Sequence, residues 1–244
     1  MKRMILAAML FFLTGLTQCG AQSPGTRAPM GVWVSVFTQH KVLFSHKAAA
    51  ELITTCSQAG IDEIYLQLFQ SGRAYYDSKL LARDKYDEMM RLAGGDMIDY
   101  ILEEASKKNI KVFAWVNLLS LGQNEQAQIV RQHGRGVLTR DQYSRPSGKK
   151  NPNETDDYYL REDQIFLEPG DPRVGDFLGL MADEIAARYP GLSGVHLDYV
   201  RYPMTVPFSP GAKFSEYGIN YGYGERNVER FKAQAGVDPL KGLR

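Results

Sequence analysis

The chain has 244 residues, 44% of them hydrophobic and 23% charged, which is typical of one large α/β domain rather than two small ones. Its formal net charge is +1. A nearly neutral chain has no excess of positive charge with which to bind nucleic acid, so we exclude that class of partner.

The first 21 residues have the three-part pattern of a secretory signal. A basic pair, Lys2-Arg3, precedes an apolar run over residues 4–16 and a few small residues. The run is shorter than the ~20 residues that cross a bilayer, so a cleaved leader is favoured over a membrane anchor. We expect an exported protein of the periplasm, cell envelope or medium, with a linker over residues 22–30 and one domain over residues 31–244.

Two cysteines bear on the fate of the N-terminus. Cys19 follows Leu16-Thr17-Gln18 in a pattern that loosely resembles a bacterial lipobox, with an atypical Gln18. Lipidation of Cys19, and attachment to a membrane through it, therefore stays open. If Cys19 is removed or lipidated, Cys56 has no partner for an intramolecular disulfide and is expected to be a small buried residue.

Apolar runs alternate with amphipathic segments along the chain. The sequence predicts strands over residues 31–37, 61–69, 110–116 and 193–200, and helices over residues 46–59, 97–108 and 172–189. Ser45, Asp96 and Asp171 are typical N-cap residues for the three helices. Polar segments over residues 70–95 and 121–163 are expected to be loops, the second a lid or binding loop.

The alternation of strands and helices predicts a parallel α/β fold, which is either an open doubly wound sheet or a (β/α)8 barrel. No glycine-rich phosphate loop follows the first strand, so nucleotide binding is disfavoured and the TIM-barrel type is favoured. Residues 205–244 contain no apolar run long enough for a fifth strand. We therefore expect only the first half of a barrel, apparently truncated at its C-terminal side.

The segment after the third helix carries the strongest candidate for chemistry. Alternate residues of a strand share a face, so His196 and Asp198 point together into the barrel interior. Asp198 ends its strand, where barrel enzymes place catalytic groups, and a carboxylate there can act as nucleophile or base. The alternative is a cap or an ion pair with Arg201.

Residues near the other strand ends suggest a saccharide site. Gln67 and Asn117 supply amides that bind hydroxyl groups, and Trp115 supplies a ring that can stack on a sugar. Arg73 and Tyr75, in the loop after the second strand, either line a saccharide groove or pack locally.

A second set of residues completes the predicted site. Glu168 is a candidate second carboxylate, and Tyr199 and Arg201 follow Asp198 as substrate-binding candidates. The histidines at positions 40, 46 and 133 show no metal-ligand spacing, and no serine nucleophile elbow is present. We expect neither a metal nor another cofactor.

Ordered motifs then indicate a family. They are Gly31-Val32-Trp33-Val34, Leu66-Gln67, Gly72-Arg73-Ala74-Tyr75-Tyr76-Asp77-Ser78, Val112-Phe113-Ala114-Trp115-Val116-Asn117, Leu167-Glu168-Pro169-Gly170-Asp171-Pro172-Arg173-Val174 and Gly194-Val195-His196-Leu197-Asp198-Tyr199-Val200-Arg201-Tyr202-Pro203. Through them the chain resembles the glycosyl hydrolase-like 10 family over residues 30–239. Two departures are Glu168, where relatives commonly have Asp, and Gly175, where they commonly have Arg.

The resemblance implies a (β/α)8 barrel that acts on polysaccharide, with bacterial relatives that include lipoproteins cleaving peptidoglycan strands without stem peptides. One hypothesis is an envelope glycosidase in which Asp198 reacts and His196 tunes it. The other is a non-catalytic glycan-binding remnant. Under both hypotheses the half barrel would expose the apolar edges of its first and last strands. We therefore expect self-association or a partner that covers these edges.

Overall fold

The computed structural model describes residues 27–148, 164–203 and 220–241, with the backbone of two short strands at 158–160 and 205–207. The helices are α1 (His46–Gln58), α2 (Asp84–Ala93), α3 (Met97–Lys107), α4 (Gln128–His133), α5 (Pro172–Arg188) and α6 (Glu225–Ala235). The strands are β1 (Gly31–Val34), β2 (Glu63–Gln70), β3 (Arg73–Ala74), β4 (Lys111–Asn117), β5 (Ser120–Gly122), β6 (Tyr158–Leu160), β7 (Ile165–Phe166), β8 (Gly194–Asp198) and β9 (Thr205–Pro207).

The predicted signal peptide and most of the linker lie outside the described residues. The described end of the linker is attached to the start of β2, since the Asp62 carboxylate accepts hydrogen bonds from Met30 N (2.6 Å) and from the Arg27 guanidinium (2.7 Å). Among the helices of the described ranges, none has both the length and the apolar character of a membrane span.

The central sheet has four parallel strands in the order β1-β2-β4-β8, with β3 attached to β2 as a short antiparallel extension. The order never reverses along the chain, whereas a doubly wound sheet has a point at which the strand order reverses. A uniform progression of parallel strands joined by helices is the arrangement of a (β/α)8 barrel. The predicted fold is confirmed, with about half of the barrel's eight strands in the described residues.

The two faces of this sheet have different surroundings. One face is buried against the helices, where Leu66 and Ala114 join Ile101 and Met181 in a single hydrophobic core. The opposite face is the one that a complete barrel encloses, and here it is partly open. Trp33 on that face is 58% exposed. In the described part of the chain, the helices cover only one face of the sheet. An open doubly wound sheet has helices on both faces, so this arrangement also favours the barrel.

The three predicted helix caps are confirmed. Ser45 Oγ accepts a hydrogen bond from Ala48 N (3.3 Å) at the start of α1. Asp96 accepts from Ile98 N (2.8 Å) before α3, and Asp171 accepts from Arg173 N (3.0 Å) before α5. Each carboxylate or hydroxyl satisfies a backbone N–H that the first helical turn leaves without a partner.

Both segments predicted as loops contain regular structure. Helix α2 lies in the first, and β5, α4 and a 3₁₀ turn at Gly134–Val137 lie in the second. Val137, Leu138 and Thr139 are fully buried. This part of the second segment is therefore packed into the domain, and the prediction of an irregular loop was wrong there. The role of the segment as a lid or binding loop stays a prediction.

Candidate active site

Asp198 is the last residue of β8, and its backbone is paired with Asn117 at the end of β4. Its carboxylate accepts a hydrogen bond from Trp115 Nε1 at Oδ2 (2.9 Å) and from its neighbour Tyr199 N at Oδ1 (2.7 Å). Both oxygens thus accept from N–H donors, which orients the carboxylate. A half-buried carboxylate held in this way at the carboxyl edge of a parallel sheet is positioned to attack a ligand or to take a proton from one.

Gln67 and Asn117 form a chain of amides beneath this edge. The Gln67 oxygen accepts from Ser35 Oγ (2.8 Å) and Val36 N (3.1 Å), and Gln67 Nε2 donates to Asn117 Oδ1 at 3.4 Å. Gln67 and Asn117 are only 2% and 5% exposed. Their observed contacts are within the protein, where they join the ends of β1, β2 and β4.

Aromatic rings continue the same face below Asp198. Trp33 and Tyr65 stack with ring centroids 5.0 Å apart, and Tyr65 stacks on Phe113 at 5.2 Å. His196 packs against Tyr65 at 4.8 Å and accepts a hydrogen bond at Nε2 from Trp33 Nε1 (3.3 Å). The structure therefore places His196 on the same face as Asp198, as predicted, but within an aromatic cluster.

Trp33, Tyr65 and Phe113 were missed as site residues by sequence reasoning. They lie at the same alternating positions of their strands as Gln67 and Trp115, and the register pairs Trp33 with Tyr65 and Tyr65 with Phe113. Aligning the predicted strands at their carboxyl ends would have revealed this row.

The residues after Asp198 form a compact turn. Tyr199 has a left-handed backbone, with φ of 54°. The Arg201 guanidinium lies 4.8 Å from the Tyr199 ring centroid and 5.5 Å from that of Phe166. Such cation–π contacts hold Arg201 over the turn, and no ion pair between Arg201 and Asp198 is seen among the described residues.

Glu168 has a different environment from Asp198, since it is 1% exposed and surrounded by donors. Its oxygens accept hydrogen bonds from Thr139 Oγ1, Gly170 N, Tyr202 OH, Gly224 N and Asn227 Nδ2, over 2.7–3.3 Å. Burial, followed by the nearby Glu168 charge, raises the pKa of Tyr202 to about 12. The contacts make Glu168 the centre of a buried network that joins the segment before α5 to α6.

Arg73 and Tyr75 separate in the structure. Tyr75 is 5% exposed and packs edge-on against Phe44, with ring centroids 6.4 Å apart. Burial raises the pKa of its phenol. Arg73 is exposed and lines a cleft beside the loop after β2. Within the described ranges, no three His, Cys, Asp or Glu side chains are grouped as metal ligands would be.

Comparison with known sequences identifies the family. The sequence model of the glycosyl hydrolase-like 10 family matches residues 29–228. The chain belongs to the glycosyl hydrolase-like 10 family. This family member is 25% identical over 183 residues to glycosyl hydrolase DigH of Escherichia coli K12, covering 73% of the chain and 38% of the relative. It is 23% identical over 173 residues to glycosyl hydrolase YngK of Bacillus subtilis 168, covering 69% and 31%.

The glycosyl hydrolase-like 10 chain thus spans well under half the length of these curated relatives. Among solved structures, a hypothetical protein of Ruminiclostridium thermocellum matches 84% of it with 13% identity and a TM-score of 0.48, over 90% of that protein. The GH36 α-galactosidase AgaA of Geobacillus stearothermophilus matches 69% of it with 14% identity and a TM-score of 0.43, over 20% of the enzyme.

Proposed function

We propose that the chain acts on polysaccharide as a glycoside hydrolase-like protein, with Asp198 as its reactive carboxylate. The observation that carries the proposal is the orientation of this group by Trp115 and by Tyr199 N at the carboxyl edge of the sheet. Membership in the glycosyl hydrolase-like 10 family supports a glycan as the substrate. The exposed Trp33 ring adds an apolar surface of the kind on which sugar rings stack.

The hydrogen bonds to Asp198 favour one of the two roles that glycoside hydrolysis requires. Because both oxygens accept hydrogen bonds, the group is arranged to give an electron pair to the anomeric carbon or to take a proton from water. The other role is protonation of the leaving oxygen by a second carboxyl group about 5–9.5 Å away. Glu168, the sequence candidate, has its oxygens bound by five donors.

This observation on Glu168 favours a second candidate function, which is glycan binding without hydrolysis. A buried carboxylate saturated by donors is a poor proton donor to an external ligand. The two candidates share the binding surface at the strand ends and differ only in whether a glycosidic bond is broken.

The decisive experiment compares wild-type protein with Asp198→Asn in the digestion of purified polysaccharide. Asp183→Asn, an exposed position on α5, is the matched control. We expect Asp198→Asn to slow product release by at least about a hundredfold, because the amide cannot act as nucleophile or base. Equal rates for both proteins would overturn the catalytic role of Asp198, and equal binding with no product from either would establish the second candidate.

We also propose that the protein is exported and that its polysaccharide is the glycan of peptidoglycan. Support comes from the leader pattern of residues 1–21 and from the relatives that the family resemblance suggests. The intact mass of the mature protein measures both the cleavage position and any lipid on Cys19. Strands with and without stem peptides, offered in the same digestion assay, test the substrate.

A further inference from the structure

A polar cleft lies at the same edge of the sheet as Asp198. One wall follows the carboxyl end of β2 and the other follows β4 and β5, and these ends lie together in a parallel sheet. The cleft has a volume of about 180 Å³, which is smaller than the roughly 300–1,000 Å³ of sites for drug-sized ligands. It is therefore suited to one sugar unit or a similar small group.

The floor of the cleft is held by close packing. Asn124 Nδ2 donates to Ser71 O (2.8 Å), which ties the two walls together. A Cβ atom at Gly72 would lie only 2.8 Å from the Ala127 Cβ, and Gly72 has a positive φ of 69°. Ala127 and Leu121 beneath it are buried. The site is thus formed before any ligand arrives.

The charged side chains that line the cleft are mostly basic. It is lined by Arg73 and Arg131, with Asp84 as its one carboxylate among the described lining residues. Neither arginine forms an ion pair with a carboxylate in the described part of the chain. By contrast, Arg83 pairs with Asp77 at 2.7 Å, and Arg135 pairs with Glu125 at 2.8 Å.

Amides surround the two guanidinium groups. Asn124, Gln126 and Gln128 line the cleft, and Arg131 donates to the Gln128 side-chain oxygen, which orients the guanidinium. Guanidinium groups bind planar carboxylates with paired hydrogen bonds, and amides bind hydroxyl groups as donors and acceptors. A carboxylate attached to a hydroxylated ring satisfies both sets of groups.

We propose that this cleft binds the carboxylate of an acidic sugar unit within the polysaccharide, through Arg73 and Arg131. The inference rests on the proposed function, that the chain acts on polysaccharide. It names the class of sugar that would bind at this edge of the sheet. It adds that recognition depends on a negative charge on the sugar at a position away from Asp198.

The test measures equilibrium binding by calorimetry with the full chain. The probes are oligogalacturonate and peptide-free peptidoglycan strands, each compared with the same glycan after its carboxylates have been esterified. We expect the acidic forms to bind about tenfold or more tightly than the esters, because a charge-assisted pair is lost in the ester. The difference should shrink at high salt.

The variants Arg73→Gln and Arg131→Gln should each bring binding of the acidic glycan close to that of its ester. Arg91→Gln is the matched control, since Arg91 is exposed in the last turn of α2 and does not line the cleft. Equal binding of acids and esters, an absence of binding to both acidic probes, or an equal loss in Arg91→Gln would overturn the proposal. The Asp198→Asn digestion is independent of these outcomes, so the two proposals can fail separately.

Discussion

At the level of single residues, two carboxylates of the chain differ in their surroundings. Asp198 is half-buried and held by two N–H donors, whereas Glu168 is buried and held by five donors. The sequence predicted the position of Asp198, because strand alternation and the carboxyl end of a strand are local properties. It could not predict the environment of Glu168, since three of its donors lie 34 to 59 positions further along the chain.

The buried position of Glu168 leads to a prediction on stability. Glu168→Ala should lower the free energy of unfolding by about 3 kcal/mol, because it leaves buried donors without an acceptor. Glu168→Gln should cost less, since it keeps one acceptor oxygen. Urea denaturation measures both, with the exposed Asp183→Ala as control. An unchanged midpoint for Glu168→Ala would show that the network contributes no net stability.

Among the secondary-structure elements, those with local signals were predicted and those without were missed. The helices α1, α3 and α5 have N-cap side chains and apolar stripes, and their predicted bounds agree with the structure within about one residue. Helix α2 has no side-chain cap, since Arg83 stands at its N-cap, and Tyr86 and Met89 are its only buried residues. Its stability depends on tertiary contacts that a local pattern does not reveal.

One such contact joins three helices and should respond to alkaline pH. Tyr86 of α2 donates to the Asp96 carboxylate at the start of α3 (2.9 Å), which also accepts from Arg188 at the end of α5 (3.0 Å). Burial, reinforced by the hydrogen bond to Asp96, raises the pKa of Tyr86 to about 12. In the unfolded chain the phenol titrates near pH 10.

The sign of the pH effect follows from this difference. Below pH 10 the phenol keeps its proton in both states, so the contribution of Tyr86 to stability is fully present. Between about pH 10 and 12 the unfolded chain loses the proton first, so stability falls as the pH rises. Tyr86→Phe should reduce this loss in urea denaturation measured across the range, with Tyr143→Phe, an exposed tyrosine, as control. The same loss in Tyr86→Phe as in wild type would refute the assignment.

For the molecule as a whole, the described residues form a barrel segment with two open edges. Here β1 pairs only with β2, and in the main sheet β8 pairs only with β4. Near these edges Trp33 is 58% exposed and Leu197 is 53% exposed. Free backbone groups beside exposed apolar side chains favour pairing with another strand.

We therefore predict that this 244-residue chain, expressed alone, associates as its concentration increases. Leu197→Lys should weaken the association, because a charge at the edge of β8 opposes pairing. Leu92→Lys is a suitable control, since Leu92 is also 52% exposed but lies on α2. Sedimentation velocity gives the distribution of species for each variant. A concentration-independent monomer in the wild type would contradict the prediction.

The hydrogen bond between Trp115 and Asp198 also has an optical consequence. The chain has two tryptophans, and both lie on the open face of the sheet: Trp115 donates to the Asp198 carboxylate, and Trp33 donates to His196. Tryptophan emission excited at long wavelength therefore comes entirely from this face. If a sugar stacks on this face as proposed, it changes the surroundings of an indole directly, and the tryptophan emission then reports ligand binding without an added dye.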